Sequence, residues 1–234
     1  MGNHTLLPQD MSEKSSLLPT MNFHVREATG ADAHTITALD RCAIDNSISA
    51  TRDRAVSPSD LEKGLQRRTP NTFHLVADTD FKQYSVNAAR PDAETRDRDT
   101  SSPLLGYVAV QPYTGLVAGP RSCYGRTALL ALVIAERAMA NDDQSRAVIS
   151  ALVEQVFSRL RKEGSPYATV VASVPYLSDN HELCSLVDGL KTAGFRQVGL
   201  MKGVIEKKGL LLDQVFLQRS VHVCEDEKEH LDLI

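Results

Sequence analysis

Side chains able to do chemistry are scattered along this sequence. Its four cysteines, Cys42, Cys123, Cys184 and Cys224, form no C-x-x-C pair, and none stands near a histidine at zinc-ligand spacing. A disulfide framework would place more of them in a shorter secreted chain, so they read as four reduced thiols. Cys184 reads as a small buried thiol. His24, His34 and His74 show no metal spacing, and His181 reads as a surface residue in the first turn of a helix. Arg67-Arg68 is too short a basic run to hold nucleic acid. A net charge of -4 and a pI near 6.0 argue against the basic face that such binding needs. No apolar run approaches the roughly 18 residues that span a bilayer.

The elements that must position these side chains follow from hydrophobic patterning. With 234 residues, 42% hydrophobic and 24% charged, the chain has the composition of an ordinary globular domain with a sizeable core. Residues 1–22 read as a flexible polar leader without the apolar stretch of a signal peptide, which points to the cytoplasm. Residues 23–27 alternate as a half-buried strand. Thr29, with Asp32 three residues on, forms a capping-box-like helix start. Ile36, Leu39 and Ala43 follow at helical spacing. Ser57-Pro58-Ser59-Asp60 signals a second helix, with Leu61 and Leu65 facing inward. Strands are expected at 72–78 and 104–111. Residues 81–102, rich in Arg, Asp, Ser and Pro, read as a disordered insertion between them.

The apolar run 127–135 suggests a central strand buried on both faces. Asn141-Asp142-Asp143-Gln144 reads as a loop entering a helix whose apolar stripe is Ile149, Leu152, Val153, Val156 and Leu160. A strand at 167–174 precedes a helix with Leu183, Leu186, Val187 and Leu190 at i, i+3, i+4 and i+7, ending at Gly194. Strands at 196–202 and 212–220 close the domain, and 222–234 read as an acidic tail. The order β-α-α-β-β-β-α-β-α-β-β is not a regular βαβ alternation. It predicts a single α/β domain, 23–221, with a mixed sheet and helices on both faces.

That order resembles the GNAT superfamily of acyl-CoA N-acyltransferases. Several stretches are similar to its phosphinothricin and azetidine-2-carboxylate N-acetyltransferase branch. They are Val25-Arg26-Glu27-Ala28-Thr29-Gly30-Ala31-Asp32, then Ile44-Asp45-Asn46-Ser47 followed by Ser57-Pro58-Ser59-Asp60-Leu61, then Ala193-Gly194-Phe195 with Val198-Gly199, and Gly209 with Leu212-Asp213-Gln214-Val215-Phe216-Leu217-Gln218-Arg219. The resemblance implies an acetyl-CoA site where the fourth and fifth strands splay apart, lined by Leu132, Val133 and Ile134. It implies a Q/R-x-x-G-x-G/A loop whose N–H groups hold the pyrophosphate at a helix start. Here that stretch is Gln144-Ser145-Arg146-Ala147-Val148-Ile149-Ser150. Ala147 and Ile149 stand where glycines are usual, and the branched Ile149 is expected to crowd a phosphate, with Arg146 as a compensating cation. Asn180 stands close to where the family bonds the pantetheine arm.

The catalytic positions depart from the family pattern. Leu129 occupies the place of a glutamate that accepts the amine proton, and Leu190 the place of a tyrosine or histidine that protonates the thiolate. Glu136 is the substitute base on offer. Tyr107 is expected to pack, Tyr113 stays open, and Asp213 and Gln218 serve structure or the acceptor pocket. The resemblance also implies a homodimer. Two functions follow. One is N-acyl transfer from acyl-CoA to a small-molecule amine or amino acid, mainly by proximity. The other is a scaffold that has lost acetyl transfer, either non-catalytic or repurposed for decarboxylation or cyclisation.

Overall fold

The computed structural model describes residues 22–50, 54–67, 71–79, 104–113, 125–162 and 164–222. The expected leader up to residue 21, the 81–102 insertion and the tail beyond His222 lie outside the described residues. In order, the elements are β1 (Phe23–Glu27), α1 (Ala33–Asn46), α2 (Pro58–Gln66), β2 (Phe73–Thr79), β3 (Leu104–Pro112), β4 (Thr127–Ile134), α3 (Glu136–Met139), α4 (Asp142–Lys162), β5 (Thr169–Tyr176), α5 (His181–Thr192), β6 (Arg196–Lys207) and β7 (Leu210–Ser220). They form one seven-stranded sheet in the order β1-β2-β3-β4-β5-β7-β6. Only β4 and β5 run parallel; all other pairs are antiparallel. The mixed α/β architecture is therefore as the element order predicts.

Two apolar layers hold the sheet. On one face α4 and α5 bury Val148, Ile149, Leu152, Val153, Val156, Phe157, Leu186, Val187 and Leu190 against Leu75, Leu130, Val170, Ala172 and Leu217. Each such side chain contributes on the order of 1.5–3 kcal/mol by leaving water. Gly106 on β3 lets α4 come this close. A Cβ there would lie 2.9 Å from Ile134 Cδ1 and 3.1 Å from Val148 Cγ1. On the other face α1 and α2 cover Val76, Tyr107, Ala109, Ala131 and Val133 with Ile36, Leu39, Leu61 and Leu65.

Start signals work as local chemistry dictates. The Ser57 Oγ accepts from the Asp60 N–H at 3.2 Å, with Pro58 in the first turn. The Thr29 N–H donates to Asp32 Oδ2 at 2.7 Å, and one 3-10 turn, Gly30–Asp32, precedes α1.

Three expectations are corrected. β4 is central but not buried on both faces: Leu129, Ala131, Leu132 and Val133 stay partly accessible, with Ala131 and Val133 only partly covered by the α1 and α2 cluster and Leu132, on the opposite face, bordering the β4–β5 gap. The closing strands are longer than 196–202 and 212–220, since an irregularity between Met201 and Ile205 interrupts the alternation that marks a strand. A short α3 turn follows β4, and α4 begins at Asp142 rather than after a 141–144 loop.

Candidate active site

β4 and β5 pair only from Thr127↔Thr169 to Leu130↔Ala172. Both strands continue beyond this register, to Ile134 and to Tyr176. They therefore diverge, and the gap is a narrow cleft of about 30 Å3. β4 lines it with Leu130 and Leu132, and β5 with Ala172, Ser173, Val174 and Pro175. α5 contributes Leu186 and Leu190, and the α1–α2 connection brings in Ser49. None of these side chains is ionisable. The connection is held over the cleft by buried Ile48, which packs with Leu183 and Leu212, and by the Ser47 hydroxyl on Glu182. One polar pair reaches the lining: Gln214 Nε2 on β7 donates to Ser173 Oγ at 2.6 Å. That bond leaves the Ser173 hydroxyl proton to donate.

The start of α4 stands beside this cleft, because Ser185, on α5 next to cleft-lining Leu186, donates to Asp142 Oδ1 at 2.8 Å. His181 Nε2 lies 3.3 Å from the other Asp142 oxygen. The Ser185 hydrogen bond, aided by His181, holds the Asp142 carboxyl below the usual carboxylate range. Asn141 caps the helix: its Oδ1 accepts from the N–H groups of Asp143 at 2.9 Å and Gln144 at 3.1 Å. The Asn141 carbonyl accepts from Ser145 N–H at 2.9 Å. The stretch 144–150 is thus helix, not loop, and its later N–H groups bond inside α4. Ala147 and Ile149 in place of glycine remove the backbone freedom a phosphate-wrapping loop needs.

The side chains of this stretch diverge accordingly. Gln144, Ser145, Val148 and Ile149 are buried, Arg146 and Ala147 are exposed, and Ser150 is half-buried. Arg146 pairs with Asp143 at 3.0 Å. Ile149 does not point at a phosphate position. It packs on α5, where its Cδ1 would lie 2.5 Å from a Cβ built on Gly189. The expectation that it crowds a ligand is therefore replaced by a core role. A pyrophosphate does not fit at this helix start: the N–H groups of Asp143, Gln144 and Ser145 are taken by Asn141, and two carboxylates, Asp142 and Asp143, occupy the first turn.

The other candidates separate as follows. Leu132 and Leu190 line the cleft, whereas Ile134 is core and Val133 packs under α1 and α2. Leu129 is half-buried, paired with Gln111 and Val171. Glu136 is exposed at the start of α3 and is not among the cleft-lining residues. Asn180 Oδ1 caps α5 by accepting from Leu183 N–H at 2.9 Å. Tyr107 packs, as expected, 2.6 Å from His74 Nδ1. Asp213 binds Lys202 Nζ at 2.8 Å and the Gly203 N–H at 2.9 Å, so it holds the β6 irregularity. Cys184 is half-buried with its thiol near the Leu177 and Ser178 carbonyls. Ser49, Ser173 and Gln214 were not singled out by sequence, because an isolated hydroxyl or amide carries no pattern. The Asn141 cap was legible as Asn-Asp-Asp before an apolar stripe. Among the described residues no group of three metal-ligating side chains occurs, and no helix is long and apolar enough to cross a membrane.

This splayed sheet defines a class. The chain has the GNAT acetyltransferase fold, as comparison with solved structures shows. An acetyltransferase-like protein of Salmonella typhimurium, solved with acetyl-CoA, superposes with a TM-score of 0.63 at 17% identity, covering 87% of this chain and 96% of that one. The N-acetyltransferase of Staphylococcus aureus Mu50 gives 0.61 at 16%, covering 86% and 99%. A GNAT superfamily phosphinothricin acetyltransferase of Sinorhizobium meliloti, in complex with acetyl-CoA, gives 0.58 at 19%, covering 86% and 89%. No family model and no curated protein sequence matches the chain.

Proposed function

We propose that this protein is an N-acyltransferase that moves an acetyl or other acyl group from a thioester to the amine of a small molecule. The observation that carries the reading is the divergence of β4 and β5 beyond Leu130 and Ala172, which opens a neutral cleft through the sheet. A thioester held there presents its carbonyl to an acceptor entering over Ser49 and Ser173. Neither Leu129 nor Leu190 can move a proton, and Glu136 is not among the cleft-lining residues. Catalysis then rests on proximity: a free amine held against the carbonyl in an uncharged cleft.

This makes a kinetic prediction. With no protein base, kcat/KM for thiol release should rise with pH in proportion to the free-amine fraction of the acceptor. The inflection should move when an acceptor of different amine pKa is used. An inflection fixed across acceptors would show a protein group in the proton path. The assay is release of thiol from acetyl-CoA, followed with a thiol-reactive dye over a panel of amines and amino acids.

A second reading is favoured by the two leucines at proton-handling positions: a thioester-binding scaffold that has lost acetyl transfer. It requires that acetyl-CoA raise the melting temperature while no amine in the panel releases thiol.

A further inference from the structure

We propose that the cleft recognises its donor through the pantetheine arm alone, so that acyl-pantetheine thioesters are its substrate class and the nucleotide half of CoA adds no affinity. This rests on the acyltransferase reading and names the donor chemistry of the same site.

Three observations converge. First, the backbone donors of residues 143–150 are committed. Asn141 Oδ1 takes two of them, and those of residues 146–150 are inside the helix. Second, the local field has the wrong sign. Asp142 accepts from Ser185 and faces His181, and Asp143 pairs with Arg146. A pyrophosphate would add charge beside two carboxylates instead of meeting free N–H groups. Third, the cleft itself is uncharged. Leu130, Leu132, Ala172 and Leu190 suit methylene groups, and the Ser173–Gln214 pair offers neutral hydrogen bonding to an amide-bearing arm.

The reaction needs nothing from the nucleotide. The amine lone pair attacks the thioester carbonyl, the C–N bond forms and the C–S bond breaks. The nitrogen loses a proton and the sulfur gains one, so an amide and a thiol leave with no change of oxidation state. Every donor atom involved lies at the end of the arm.

The test is titration calorimetry of the full chain with acetyl-pantetheine and with acetyl-CoA, repeated at low and high salt. Dissociation constants agreeing within about threefold, with little salt dependence, are expected. Acetyl-CoA binding about tenfold tighter or more, with affinity lost in salt, would overturn the proposal and leave the acyltransferase reading intact. Binding of neither thioester would overturn that reading itself. Asp143→Asn provides a second arm, because it removes one carboxylate and frees Arg146 at an exposed position. It should raise the affinity for acetyl-CoA by about threefold and leave acetyl-pantetheine unchanged. A variant that alters neither affinity, in a protein that already prefers acetyl-CoA, would place the nucleotide elsewhere and count against the proposal.

Discussion

At the end of the sheet Arg26 binds Asp32 with both terminal nitrogens, at 2.8 and 2.7 Å, and also reaches Asp78 at 2.8 Å. The Arg26 hydrogen bond is the main reason that the Asp32 carboxyl falls from its ordinary 3.8 to about 2. A folded-state value below the unfolded one means stability that is present above the unfolded value and lost as pH falls through the folded one. Stability should therefore decline between pH 3.8 and about 2 through this group. Asp32→Asn should flatten that acid limb and cost on the order of 1–2 kcal/mol at neutral pH, after allowing for the partial exposure of Arg26. Acid titration of the melting temperature checks both.

Ser173 makes the second residue-scale prediction. Ser173→Ala leaves the Gln214 amide without its partner and should cost about 1 kcal/mol. It should also weaken thioester binding by several-fold. Unchanged affinity would take Ser173 out of the donor path.

At the scale of elements, the contact between α4 and α5 decides how the candidate site is built. Ile149 is fully buried and nests on Gly189. Ile149→Gly should therefore not open a phosphate site. It should cost about 3 kcal/mol or more, as a buried truncation combined with a helix glycine. Gly189→Ala sets helix propensity against a clash, and the two are separable in a cycle. The substitution should be about 1 kcal/mol more favourable in an Ile149→Val background than in the native one. Additive effects in chemical denaturation would mean the helices do not meet there.

The same contact explains what sequence could and could not tell. The apolar stripe of α4 and its family-like spacing were legible. Whether Ile149 faced a ligand or a neighbouring helix was not, because that depends on Gly189, forty residues away. The helix start is legible in Asn141, a cap type followed by two acids. Ser173 and Gln214 meet only because β5 and β7 pair, a long-range register that no local pattern encodes.

For the whole molecule, element order sufficed to indicate the fold, since it is a string of local periodicities. What the order leaves open is the sheet's behaviour at its centre, where two parallel strands stop pairing and leave a neutral cleft. The chemistry proposed for this protein depends on that cleft being a thioester site. Thermal unfolding with millimolar acetyl-CoA tests it most directly, using the native chain and Ser49→Trp, which places an indole over the opening. The native melting temperature should rise by about 3–6 °C at ten times the dissociation constant. Ser49→Trp should melt near the unliganded native temperature and not respond. A native protein whose melting temperature is indifferent to acetyl-CoA would contradict the account.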